Sequence, residues 1–488
     1  MGKHRPVLAI GIDAAEATQV RRLVADGVLP NLGALGAEGA WFDLFAHADL
    51  GSAAGWPTFV TGTPPDVHGV YCDWLWDPER MAVRAWEPCV PFWAKLGSGV
   101  RVGALDVPLA APSGAASAFE ICGWGQRQPV DRLESISPES AAAIVRAHAR
   151  HPFRSRRGLA PEPSNRRGVE RLATACLVGA RRRTELARSL VAATRPDLTV
   201  LVFTEMHHAG HTLWHTSEPS SPLYSDLGAP GEQVADVTGA LLREIDVAIG
   251  RLAEAVGSDA AVAVFALDGM GPSRGVPQFL DPVLRDQGWS AARAHGPRGP
   301  GALSRGALRW GKFHSPMLLR RGYHRFVPES FVWRVAKRTA LGAHDWSRTR
   351  AFALPTNQHG WIRINLRGRE RDGIVAPGDY ERVVDQLIAE LGELSTEDGR
   401  RLVRRIVRTA DGAGPPPLLP DLTLHWTEAA YDRPVRVAGT SVESMPRDLE
   451  LTGTHRLDGF CVARGLEVDG EPVLAEKLPE LLVSATAG

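Results

Sequence analysis

Short apolar runs separated by amphipathic stretches recur along this chain. Val7-Leu8-Ala9-Ile10-Gly11-Ile12 carries no charge and stops at Asp13, so it reads as a strand buried on both faces that feeds a helix over residues 19–25. The same kind of run returns at residues 101–107, 198–203 and 260–267. Between the last two, residues 234–256 place apolar side chains at helical spacing, and Gly257-Ser258 follows as a stop signal. This alternation predicts an α/β fold with a mostly parallel central sheet and helices on both faces. No repeat of fixed period runs through the chain, which excludes solenoids and propellers.

Two segments break the pattern. Residues 151–168 mix Arg, Pro and Gly as an irregular basic loop. The second is 273–348, in which, from Arg285 to His344, Arg285, Arg293, Arg298, Arg305, Arg309, Lys312, Arg320, Arg321, Arg325, Arg334, Lys337 and Arg338 face only Asp286 and Glu329. We expect a core formed by 1–272 and 349–488, with 273–348 as a basic insertion that serves either as a lid over an anionic substrate or as a solvated surface or subunit contact. Homo-oligomerisation is left open.

Composition narrows the class. The 488 residues are 44% hydrophobic and 23% charged, and 56 basic residues balance 56 acidic ones, so no global field favours polymeric nucleic acid or a membrane surface. No apolar run approaches the ~20 residues of a membrane span. Lys3-His4-Arg5 runs straight into the first strand without a secretory apolar region, and five cysteines lie scattered without metal spacing. The expectation is a cytoplasmic protein without disulfides, with Arg-, Ala- and Gly-rich usage pointing to a GC-rich bacterial genome.

In open α/β sheets, functional groups gather where strands end, so Asp13, the loop after Phe203 and the loop after Leu267 are expected to converge. After Phe203, His207 and His211 stand four apart and share one helix face, the spacing of two imidazoles on one metal. His208 and His215 read as packing groups. Asp268 is either a ligand or the turn residue before Gly269, and His359 either lines the pocket or sits satisfied in the core. Residues 51–70 supply four hydroxyls, Ser52, Thr58, Thr61 and Thr63, near the carboxylate of Asp13. No phosphate-binding P-loop occurs, and Gly269-Met270-Gly271 is too short for a dinucleotide fingerprint.

Ile10-Gly11-Ile12-Asp13, Trp56-Pro57-Thr58-Phe59-Val60-Thr61-Gly62, His68-Gly69, His207-x-x-Gly210-His211, Leu419-Pro420-Asp421-Leu422 and Gly453-Thr454-His455 together resemble the type I phosphodiesterase/nucleotide pyrophosphatase family of the alkaline phosphatase superfamily. The resemblance covers most of the chain outside 273–348. It implies an alkaline phosphatase-like fold and a hydrolase or transferase acting on phosphodiester, pyrophosphate or phosphate ester bonds of small phosphorylated or nucleotide-like substrates. Family members use a hydroxyl nucleophile and one or two divalent ions, usually zinc, with manganese an alternative. Nine residues before the Thr of Thr61-Gly62 stands Ser52, which takes the nucleophile's position; a shift of one turn would select Thr58, otherwise a substrate-side or packing residue beneath the loop.

The resemblance further implies metal ligands at Asp13, Ser52, His207, His211, Asp268 and His455. Two positions depart from the pattern. His207 stands where the family has Asp, and Leu267-Asp268 stands where it has Asp-His, so the second metal loses a carboxylate at Leu267. A sulfatase is disfavoured, since Ser52-Ala53-Ala54-Gly55-Trp56 lacks the Pro and Arg of formylglycine sites. The rival readings are a degenerate member that binds a ligand or partner without turnover, and a specialised biosynthetic phosphatase or phosphotransferase.

Overall fold

A computed structural model describes residues 4–114, 118–125, 135–154, 166–218, 236–293, 344–356, 358–409, 414–446, 451–468 and 472–487. A nine-stranded sheet runs, edge to edge, through Val473–Leu474, Ala40–Phe45, Gly459–Arg464, Ala261–Ala266, Val7–Ile12, Leu198–Phe203, Val102–Leu105, Phe119–Cys122 and Ser135–Ser137. Its five central strands, from Ala261–Ala266 to Phe119–Cys122, are parallel. Gly459–Arg464 and Ser135–Ser137 flank them antiparallel.

The uncharged strand Val7–Ile12 is buried along its whole length because both sheet faces are covered. Leu8, Ile10 and Ile12 point toward helices Arg166–Thr194 and Val237–Val256, meeting residues such as Leu186, Leu190, Leu241 and Ile245. Val7 and Ala9 point the other way, into a layer with Trp56, Phe59, Phe265 and Leu478. This is the period of two expected of a doubly covered strand.

A second, four-stranded antiparallel sheet contains Ala351–Leu354, Gly360–Ile364, Leu422–Trp426 and Val403–Arg408. Helix Tyr380–Gly392 packs on it through Val383, Val384, Leu387 and Leu391. The first part of the expected 273–348 insertion packs against this sheet. Phe279, Leu280, Val283, Leu284 and Trp289 are buried in the same cluster as Ile362 and Leu387, so their apolar spacing ties them to this core. The basic run from Arg298 to Arg338 lies outside the described residues, and so does 155–165 of the expected loop. Residues 166–168 of that loop open the 29-residue helix Arg166–Thr194.

Candidate metal centre

The strand register brings the candidate residues to one edge. Gly11 lies beside Val202 and Phe265, and Ile12 beside Phe203, so Asp13, the turn before helix Glu205–Leu213, and Leu267-Asp268 all leave the sheet at the same level. His455 comes from far along the chain. Strand Gly453–Arg456 pairs antiparallel with Gly269–Pro272, setting His455 opposite Met270 and over Asp268.

Three imidazoles converge there. His207, His211 and His455 each offer a nitrogen within 4.8 Å of the others, and the Nε2 atoms of His211 and His455 are 3.1 Å apart. Each Nδ1 faces an oxygen instead. His211 Nδ1 lies 2.9 Å from the Gly453 carbonyl, His455 Nδ1 lies 2.7 Å from Asp268 Oδ2, and His207 Nδ1 lies 3.4 Å from Asp13 Oδ2. That arrangement leaves the Nε2 atoms of His211 and His455 turned toward one another, with a ring nitrogen of His207 within reach of both. Two nitrogens sharing one zinc at ~2.0–2.1 Å in a tetrahedron lie about 3.3 Å apart, so the observed spacing fits a metal. The buried Nδ1 atoms of His207 and His455 also lack an aligned hydrogen bond among the described groups, a cost that a folded chain tolerates where a ligand strengthens the contact.

Electrostatics tie the same groups together. Burial disfavours both charges, yet the Asp13–His207 pair outweighs it, holding the carboxyl below and the imidazole above their ordinary values. Asp73, unremarked in the sequence, adds pull on His207. Burial together with neighbouring His207 and His455 pushes His211 well below the usual imidazole range, so it stays neutral and ready to donate a lone pair.

The helix that follows the Ser52 turn reaches this centre. Ser52 opens a short helical turn leading into helix Gly55–Thr61, and Trp56 on that helix donates its indole N–H to Asp13 Oδ1 at 2.8 Å. Trp56 can lie across the first strand because Gly11 has no side chain; a Cβ there would sit 2.7 Å from the indole. Gly51 is equally constrained, since its Cβ would meet the Tyr71 carbonyl at 2.1 Å. The second sheet grips the turn from outside: His359 Nε2 faces the Ala48 carbonyl at 3.2 Å, Trp361 donates to the Leu50 carbonyl at 2.7 Å, and Gln358 donates to the His455 carbonyl at 2.7 Å.

Two expected substrate contacts are committed elsewhere. Thr58 is fully buried; its hydroxyl donates to the Ala54 carbonyl at 2.9 Å and meets His68 Nε2 at 3.1 Å. His68 Nδ1 in turn accepts from the Val70 N–H. His359 is 5% exposed and packs on His425 at 4.5 Å between ring centroids. Leu267 turns into the apolar layer below Trp56, with its Cβ 3.3 Å from where a Gly55 Cβ would stand.

Sequence reasoning missed the buried charges beneath this centre. Arg183 is fully buried, donating to Glu205 at 3.0 and 3.1 Å and to Asp106 at 2.8 Å, while His151 Nε2 meets Glu205 at 2.8 Å. Asp106 adopts φ 51° and accepts the Trp124 and Gly125 N–H groups at 2.7 and 2.6 Å. Burial would keep Glu205 neutral, but Arg183 and His151 hold its pKa down to about 2. Arg183 sits on the helix face where the apolar period predicts Leu or Ala, so no pattern in the sequence marks it.

Residues 7–418 match the type I phosphodiesterase / nucleotide pyrophosphatase family. The chain belongs to that family. No curated protein matches it in sequence. Among solved structures, it is similar to phosphonoacetate hydrolase from Sinorhizobium meliloti 1021 in complex with phosphonoacetate, at 13% identity and a TM-score of 0.55, covering 99% of this chain and 96% of the other. The same enzyme with phosphonoformate gives a TM-score of 0.53 at 13% identity over 99% and 96% of the two chains. Murine ectonucleotide pyrophosphatase / phosphodiesterase 5 in complex with AMP scores 0.44 at 12% identity, covering 99% and 95%. The alkaline phosphatase-like fold expected from the sequence is thus the one present. Among the described residues no helix is long and apolar enough to cross a membrane.

Proposed function

We propose that this protein is a metal-dependent hydrolase of phosphodiester or pyrophosphate bonds in small, nucleotide-like substrates, with Ser52 as nucleophile. The observation that carries this reading is the convergence of His207, His211 and His455, with the helix that follows Ser52 bonded to Asp13 through Trp56, in a chain of this family. His207, His211 and His455 would hold the ion, with zinc the best match to an all-imidazole donor set and manganese the alternative. A bound divalent ion supplies Lewis acidity, stabilising charge on a phosphoryl oxygen and lowering the pKa of a nearby hydroxyl.

Ser52 Oγ attacks phosphorus, the Oγ–P bond forms as the leaving-group oxygen departs with a proton, and a serine phosphoester remains. Water then attacks phosphorus, its oxygen stays on the released phosphate, and Ser52 recovers its proton. The turn that presents Ser52 is fixed on one side by Trp56 on Asp13 and on the other by Trp361 on Leu50, so the nucleophile is positioned before substrate arrives.

The test is a hydrolysis screen of bis-p-nitrophenyl phosphate, p-nitrophenyl phosphate, nucleotide sugars and phosphonoacetate with Zn or Mn added, run on the native chain and Ser52→Ala. Diester hydrolysis lost in Ser52→Ala supports the reading. A preference for the monoester overturns the diester assignment, and no turnover of any probe by metal-loaded protein favours a non-catalytic binder.

A further inference from the structure

We propose that the centre holds one divalent ion on the Nε2 atoms of His207, His211 and His455, and that Asp268 and Asp13 orient two of these histidines instead of ligating a second ion. The inference rests on the metal dependence proposed above, not on the reaction.

Three imidazole donors leave a fourth position open, which is the donor count of a mononuclear site that accepts substrate or water. Histidine ligands are commonly held by an oxygen acceptor on the far ring nitrogen. All three Nδ1 atoms face an oxygen here: the Gly453 carbonyl hydrogen-bonds to His211, while Asp268 lies 2.7 Å from His455 and Asp13 3.4 Å from His207. The three oxygens come from residues 13, 268 and 453, far apart in sequence, so their shared placement behind the rings is not a by-product of one turn.

A second ion needs donors of its own, and those at hand are engaged. Leu267 offers none and lies in the apolar layer with Trp56 and Phe59. Asp13 receives the Trp56 indole on one oxygen and faces His207 with the other. Asp268 is buried with its carboxylate against His455. The Ser52 hydroxyl alone is too weak a donor to hold a divalent cation.

The experiment uses the whole chain, stripped by chelator and titrated with Zn by calorimetry, with bound metal counted after desalting and the visible spectrum recorded on the Co-substituted protein. The expected result is one ion per chain and the intense bands of four-coordinate cobalt. Asp268→Asn should keep one ion but bind it about 10–100-fold more weakly, shift the cobalt bands and leave the circular dichroism unchanged; Asp268→Glu should recover part of the affinity. Two ions per chain, falling to one in Asp268→Asn, would overturn the proposal, and so would unaltered affinity in that variant. Should Asp268→Asn fail to fold, the count in the native chain still decides. One ion without hydrolysis of any probe would leave this inference standing while sinking the proposed reaction.

Discussion

Helix Glu205–Leu213 separates two clusters of buried carboxylates and histidines that differ in one respect. On one side, Asp106, Arg183, Glu205 and His151 close on themselves, with an aligned partner for each charge. On the other, Asp13, Asp268 and three histidines leave two ring nitrogens without aligned bonds and three others turned toward a shared point. The same residue types therefore do opposite jobs. A closed network fixes where a helix begins, whereas an open one retains affinity for something outside the chain.

Breaking the open cluster should cost function and spare the fold. His211→Ala is expected to lower phosphodiester hydrolysis at least about 1,000-fold, the scale on which loss of a principal transition-state electrostatic contact is felt, while chemical denaturation of the metal-free variant moves by no more than about 2 kcal/mol. Retained activity would show that the imidazoles are not the working site. Breaking the closed cluster should do the reverse. Arg183→Met leaves Asp106 and Glu205 buried without their cation and should cost about 3–5 kcal/mol of stability in urea or thermal unfolding; a change below about 1 kcal/mol would show that water or relaxation replaces the ion pairs.

Buried histidines that belong to neither cluster set the acid limit. Burial depresses His359 from its ordinary value to about 4. The unfolded chain therefore binds more protons between about pH 6.5 and 4, and stability is full above that window and falls as pH drops through it. For His359 alone the loss approaches about 3 kcal/mol, and His359→Gln should flatten the pH dependence of the melting temperature over that interval. The smallest expected effect falls on Thr58. Thr58→Val leaves His68 without its hydroxyl partner and should cost about 1–3 kcal/mol with hydrolysis retained; a folded but inactive Thr58→Val would move the nucleophile one turn from Ser52.

The sheet was legible because uncharged strands at 7–12, 198–203 and 260–267 can be buried only between two covered faces. Helix Val237–Val256 was legible through its spacing and Gly257, and the imidazole pair through the four-residue step from His207 to His211. The strand expected over 101–107 shortens to Val102–Leu105, because Asp106 leaves the extended region to cap Trp124 and Gly125, a role with no local signature. Arg183 was hidden because charge normally marks a solvent face. The pairing of Asp268 with His455 depends on a ribbon whose two strands are remote in sequence, and the commitment of Thr58 to Ala54 and His68 depends on the turn at Gly69. Pattern reading locates groups on elements; it does not say which of two nearby groups each will choose.

The grip of the second sheet on the Ser52 turn has a consequence for how this architecture can change. Residues 358 to 361 hold Ala48, Leu50 and His455 by backbone carbonyls alone, contacts that ignore side-chain identity at the held positions. Ala48 and Leu50 are buried, so their side chains answer to packing while their carbonyls answer to this brace, and excising or exchanging the 344–446 region would free both the Ser52 turn and His455 at once. In engineering terms the two sheets are one unit, because the smaller cannot be exchanged without disturbing the segments that carry Ser52 and His455.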